Sequence, residues 1–83
     1  MSAEMKFPVV AHHRVIINAM SRDDATVQAL FQPFDLVEPI AIGNTSSGGK
    51  YLSYGISVRF GSSTEMVRFD ETLKAIPGLK MVL

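Results

Sequence analysis

Two adjacent histidines, His12 and His13, are the first residues whose type could support chemistry, as metal ligands or as a general base. They sit in the β-branched run Val9 to Met20, where successive side chains point to opposite faces, so one ion cannot be held by both. No third ligand follows at a metal-binding spacing, and His13 reads as a satisfied histidine at the margin of the core. The stretch Gly43-Asn44-Thr45-Ser46-Ser47-Gly48-Gly49-Lys50 has a superficial likeness to a phosphate-binding loop. That pattern requires glycine, four residues and then Gly-Lys-Ser/Thr opening a helix. Here Gly49 intervenes, Tyr51 follows the lysine, and the segment joins two strands. Ser46, Ser47, Ser62 and Ser63 have no neighbouring histidine base and no Gly-x-Ser-x-Gly elbow. Asp70 and Glu71 are neighbours on a helix and diverge by about 100°, so they read as a solvated face. Catalysis by acid and base needs convergent groups in a pocket. None is visible, and the expectation is a protein that is not an enzyme and carries no metal or cofactor.

The elements that position these residues are legible from periodicity. Val9 to Met20 predicts a strand with His13, Val15, Ile17 and Ala19 on one face and His12, Arg14, Ile16 and Asn18 on the other. Ser21-Arg22-Asp23-Asp24 predicts a helix start, with Ser21 as cap and carboxylates meeting the positive end of the helix dipole. Ala25 and Leu30, with Val27 and Phe31, are the expected buried side, and Pro33 ends the helix at Gln32. Leu36 to Asn44 predicts a second strand, placed at a sheet edge because Pro39 removes a ladder donor. Lys50 to Phe60 is the clearest strand, alternating Leu52, Tyr54, Ile56, Val58 and Phe60 against Tyr51, Ser53, Gly55, Ser57 and Arg59. Ser62-Ser63-Thr64-Glu65 predicts a capping box, followed by a core stripe of Met66, Phe69, Leu73 and Ile76 up to Pro77-Gly78. Leu79 to Leu83 predicts a last strand. The order β-α-β-β-α-β with right-handed crossovers gives an α+β ferredoxin-like sandwich: a four-stranded antiparallel sheet, order 4-1-3-2, with both helices on one face.

The 83 residues make one domain, read as residues 7–83 preceded by a flexible tail over 1–6. Apolar residues are 47% of the chain, enough for a packed core. The absence of cysteine excludes disulfides, thiolate metal clusters and cysteine nucleophiles. The opening residues lack the apolar stretch of a signal peptide, and no run reaches the roughly 20 apolar residues of a membrane span. A cytoplasmic protein without membrane partners is the expectation.

With these elements placed, the chain resembles the YbeD-like family of small bacterial proteins of unknown function. The resemblance runs from Phe7-Pro8 to Leu83, and is carried most by Ser46-Ser47-Gly48-Gly49-Lys50-Tyr51-Leu52-Ser53 and Met81-Val82-Leu83. It implies a ferredoxin-like fold close to that of ACT domains, regulatory modules that bind small effectors, and it implies no activity. Effector-binding ACT domains usually carry a glycine-containing turn after the first strand, whereas this chain has Met20-Ser21-Arg22-Asp23.

Eight basic residues balance eight acidic ones, so whole-chain charge points to no partner, but its distribution does. The alternation sends His12, Arg14, Tyr51, Arg59 and Lys80 to the uncovered sheet face. The carboxylates are expected elsewhere, Glu38 included, because it counts in register with Ile40 and Ile42. A basic sheet face opposite an acidic helical layer suggests a non-enzymatic interaction or regulatory module that binds a protein partner or a second copy. Single-stranded RNA is the second reading of that face, although such sheets use several stacking aromatics and only Tyr51 is available. An ACT-like effector sensor is the third.

Overall fold

The computed structural model describes residues 6–46 and 48–83. The expected tail over 1–6 thus lies outside the described residues except for Lys6, and Ser47 of the expected hairpin lies outside them too. In chain order the protein forms β1 (Val9–Asn18), a short 3₁₀ turn (Ala19–Ser21), α1 (Asp24–Phe31), β2 (Asp35–Leu36), β3 (Ala41–Thr45), β4 (Tyr51–Phe60), α2 (Ser63–Leu73) and β5 (Leu79–Val82). Every strand pairing is antiparallel. β4 lies between β1 and the edge made by β2 and β3, and β5 flanks β1 on the other side. This is the ferredoxin-like order deduced from the sequence, with one difference. The expected second strand is two short strands, because after the Val37 amide bonds the Ser57 carbonyl, Glu38 to Ile40, with Pro39 among them, leave the ladder. Proline has no amide hydrogen to donate there.

The ten-residue ladder between β1 and β4 sets the frame, pairing Val9 with Phe60 at one end and Asn18 with Tyr51 at the other. Alternation then directs Val15 and Ile17 from β1, and Leu52, Tyr54, Ile56, Val58 and Phe60 from β4, beneath the helices. The helices complete the core with Val27, Phe31, Phe69 and Leu73, and Ile76 closes it just past α2. Phe69 is fully buried and central to an aromatic cluster, with ring centroids 5.2 Å from Phe31, 5.4 Å from Phe34 and 5.3 Å from Phe60.

Both helices start on side-chain caps. Ser62 accepts a hydrogen bond from the Glu65 amide, and the Glu65 carboxylate accepts one from the Gly61 amide. This is the expected reciprocal box shifted by one donor. At α1 the cap is Asp23, whose carboxylate accepts from the Thr26 amide and hydroxyl, while Ser21 falls in the 3₁₀ turn. Val27 and Phe31 are the buried residues of α1, Leu30 is half-buried, and Ala25 faces outward rather than inward. α2 ends at Leu73, four residues before Pro77. The chain tightens through Ala75 to Thr72 and Ile76 to Leu73 bonds, as expected where a proline disfavours helix in the residue before it.

Candidate interaction face and its polar relay

The face of the sheet opposite the helices has no second layer among the described residues. Its side chains form rows fixed by the register: Val10, Arg59 and Asp35; His12, Ser57 and Val37; Leu83, Arg14, Gly55 and Ala41; Met81, Ile16 and Ser53; Asn18 and Tyr51. Of the five sequence-derived site residues, His12, Arg14, Tyr51 and Arg59 share this face. Lys80 is exposed in a bulge, where the β1–β5 register slips between the Ile16–Met81 and Ile17–Leu79 pairs. Val10, Val37, Met81 and Leu83 are exposed apolar residues of the same surface.

Two carboxylates correct the expectation of a purely basic face. Asp35 lies opposite Arg59 in the ladder and pairs with its guanidinium at 3.2 Å. Glu38 does not point helix-side. Its Oε1 accepts a 3.1 Å hydrogen bond from the Ser57 hydroxyl. Counting alternation from Ile40 and Ile42 fails because residues 37–40 are not strand. Arg14 has neither an ion pair nor a side-chain hydrogen bond among the described residues, where the ion pairs are Arg22–Asp24 and Arg59–Asp35.

His12 Nδ1 lies 2.7 Å from Ser57 Oγ, so His12, Ser57 and Glu38 form a chain. The order differs from a nucleophilic triad: the serine stands between imidazole and carboxylate, and its hydroxyl is nearly buried. Periodicity could not reveal this chain, which needs both the β1–β4 register and the departure of residues 38–40 from the ladder.

A second polar group tethers α1 to the sheet. The Tyr54 hydroxyl donates to Asp24 at 2.7 Å, and Arg22 grips the same carboxylate with two nitrogens. The bond from Arg22, then that from Tyr54, holds the Asp24 carboxyl below its usual range. Burial, reinforced by Asp24, pushes the Tyr54 phenol up to about 12. This group ties α1 to β4.

His13 faces the helices, with its ring 4.6 Å from that of Phe69 and 6.4 Å from that of Phe60. Its buried Nδ1 has no hydrogen-bond partner, so it is not the satisfied histidine expected from the sequence. Burial holds its pKa below the ordinary imidazole value of 6.5, outweighing the opposing effects of the Ile56 backbone and, after it, of Asp70 on α2. The sign of the pH effect follows. Below pH 6.5 the unfolded chain binds a proton that the folded chain resists, so stability is full above that value and declines as pH falls toward the depressed folded value. Urea midpoints compared at neutral pH and at about pH 5 should therefore fall less for His13→Leu than for the parent. An identical fall in both would contradict the burial of this ring.

Neither histidine shares an ion with the other, since they occupy opposite faces of β1. No group of three histidine or carboxylate side chains converges to hold a metal among the described residues, and no described helix is long and apolar enough to cross a membrane. The sequence matches, over residues 2–83, the model of a family described as "Protein of unknown function (DUF493)". The chain belongs to the DUF493 family. The YbeD-like resemblance is to this same uncharacterised family. Two solution structures of HP0495 from Helicobacter pylori share the fold. One has a TM-score of 0.67 at 15% identity, covering 99% of this chain and 88% of that one. The other, called a hypothetical protein, has a TM-score of 0.58 at 20% identity, covering 99% and 98%. A search of curated proteins returns no match. At these identities the likeness to HP0495 shows the fold alone, so a role for this DUF493 domain has to be argued from its own surface.

Proposed function

We propose that this domain is a non-enzymatic protein-interaction module that binds through the open face of its sheet. The observation that carries the reading is the contrast between the two faces. One is closed by α1 and α2; the other exposes Val10, Val37, Met81 and Leu83 around the unpaired Arg14. An apolar surface with a cation and no partner of its own fits a protein that offers apolar side chains around a carboxylate. A second copy fits less well, because a two-fold interface sets the same patch against itself and Arg14 and His12 would both need acids from that patch, where Asp35 and Glu38 are already engaged. Single-stranded RNA has less support. Tyr51 is the single tyrosine or phenylalanine of the face among the described residues, and Arg59 is tied to Asp35.

Site-specific photo-crosslinking in cells tests the reading. A photoreactive residue at Met81 should capture a protein, whereas one at Val67, equally exposed on the outside of α2, should not. Adding Arg14→Glu should abolish the Met81 adduct and leave the unfolding free energy within about 0.5 kcal/mol of the parent. Adducts from Val67 alone, or adducts to RNA, would overturn the proposal.

A further inference from the structure

The relay on the open face fixes which atom of His12 is available to a ligand. An ionised carboxylate only accepts hydrogen bonds, and a serine hydroxyl has one hydrogen. At Ser57 that hydrogen is directed to Glu38 Oε1 at 3.1 Å. Ser57 Oγ must therefore accept from His12, 2.7 Å away, and Nδ1 carries the proton. That direction of bonding puts the neutral ring's proton on Nδ1 and leaves Nε2 as the ring nitrogen with no hydrogen-bond partner among the described residues. Taking up a second proton leaves the relay intact, because Nδ1 donates in both states. It converts Nε2 alone from an acceptor into a charged donor.

Arg14 follows two residues later on the same face of the same strand, about 7 Å further along. The charged groups around His12 are few. Arg14 shares its strand; Arg59 lies diagonally across on β4, neutralised by Asp35 of β2; Glu38 ends the relay. Leu83, just past β5, pairs with the Arg14 backbone, and among the described residues neither the Arg14 guanidinium nor His12 Nε2 has a hydrogen-bond or ion-pair partner.

We propose that His12 and Arg14 form a carboxylate-binding pair for an acidic peptide segment, with Arg14 a constant donor and His12 Nε2 a donor only when the ring is charged. This rests on the reading of the open face as a protein-binding surface and names the chemistry of the partner. Arg14 supplies affinity at every pH. The relay makes the second contact conditional, so association is tighter with the ring charged than with it neutral. Ser57 and Glu38 are positioning residues, acting through His12 without touching the peptide.

The probe is an acetylated, amidated peptide alternating valine and glutamate, with a valine–glutamine peptide as control, titrated into the folded domain by NMR. The imidazole nitrogen shifts of free wild-type protein should report Nδ1–H, and Ser57→Ala should release the ring to a mixture of tautomers. The acidic peptide should move the Arg14 and His12 side-chain signals and bind about two- to fivefold tighter once His12 is protonated. Arg14→Gln should abolish that binding, and His12→Gln should retain it but remove its pH dependence. A neutral ring carrying its proton on Nε2, equal binding of both peptides, or unchanged pH dependence in His12→Gln would each overturn the pair. Crosslinking from Met81 reads the broader proposal without involving the charge on His12. The pair can therefore fail while the face remains an interaction surface, and failure of Met81 to crosslink would remove the face itself.

Discussion

Replacing Phe69 with alanine is expected to cost about 3–5 kcal/mol of unfolding free energy, a large share of the roughly 5–15 kcal/mol available to a small domain. Phe69 projects from the middle of α2 and is fully buried. Its ring lies between those of Phe31 and Phe34 from the α1 side and those of Phe60 and His13 from the sheet. Alanine would remove the side chain that all four pack against. The elements around it are long, well-paired strands that cannot collapse into the space, so the loss should sit toward the upper end. Asp70→Ala, on the exposed neighbour, should change the unfolding free energy by no more than about 0.5 kcal/mol. Small and equal losses for the two would mean that α2 presents a different face to the sheet.

How far the sequence discloses this structure depends on whether a feature is periodic or a matter of register. β4 and the stripe of α2 are legible because each repeats a single pattern over ten or more residues, and burial follows that pattern: Leu52, Tyr54, Ile56, Val58 and Phe60 in one, Phe69 and Leu73 in the other. α1 is harder. It has eight residues and two competing caps, Ser21 and Asp23, and of its expected buried side Val27 and Phe31 are buried while Ala25 is exposed. The open face is harder still. That His12, Arg14, Tyr51 and Arg59 share one side follows from alternation alone. What neutralises Arg59 and what orients His12 does not, because Asp35 and Glu38 arrive from an edge segment whose register Pro39 interrupts. Counting by twos across that interruption sends Glu38 to the wrong face, and with it the sign of the surface around Ser57.

The junction at Gly78 should be nearly as sensitive as the aromatic core, for a different reason. Gly78 has φ +71°, in the left-handed region that side chains other than glycine rarely occupy. Its carbonyl accepts a 2.8 Å hydrogen bond from the Asn18 amide, which ties the approach to β5 onto the end of β1. A Cβ at this position would collide with Ser21 Cβ, with Ser21 Oγ at 2.8 Å and Asn18 Cβ at 3.2 Å. Ser21 belongs to the 3₁₀ turn that leads into α1, and none of these atoms is the far end of a flexible chain. Relief would have to come from moving that turn or the start of β5. Gly78→Ala therefore combines the conformational cost, about 1–2 kcal/mol, with overpacking of about 1–3 kcal/mol. Gly49→Ala isolates the first component, since Gly49 has φ +70° with nothing within 4 Å of the added methyl. In urea unfolding Gly78→Ala should lose clearly more than Gly49→Ala, and hydrogen exchange should quicken at Asn18 and Met81 in the first variant alone. Equal losses in the two variants would show that the strand ends yield to the methyl group, and that Gly78 serves its backbone angle and not the close approach of Ser21.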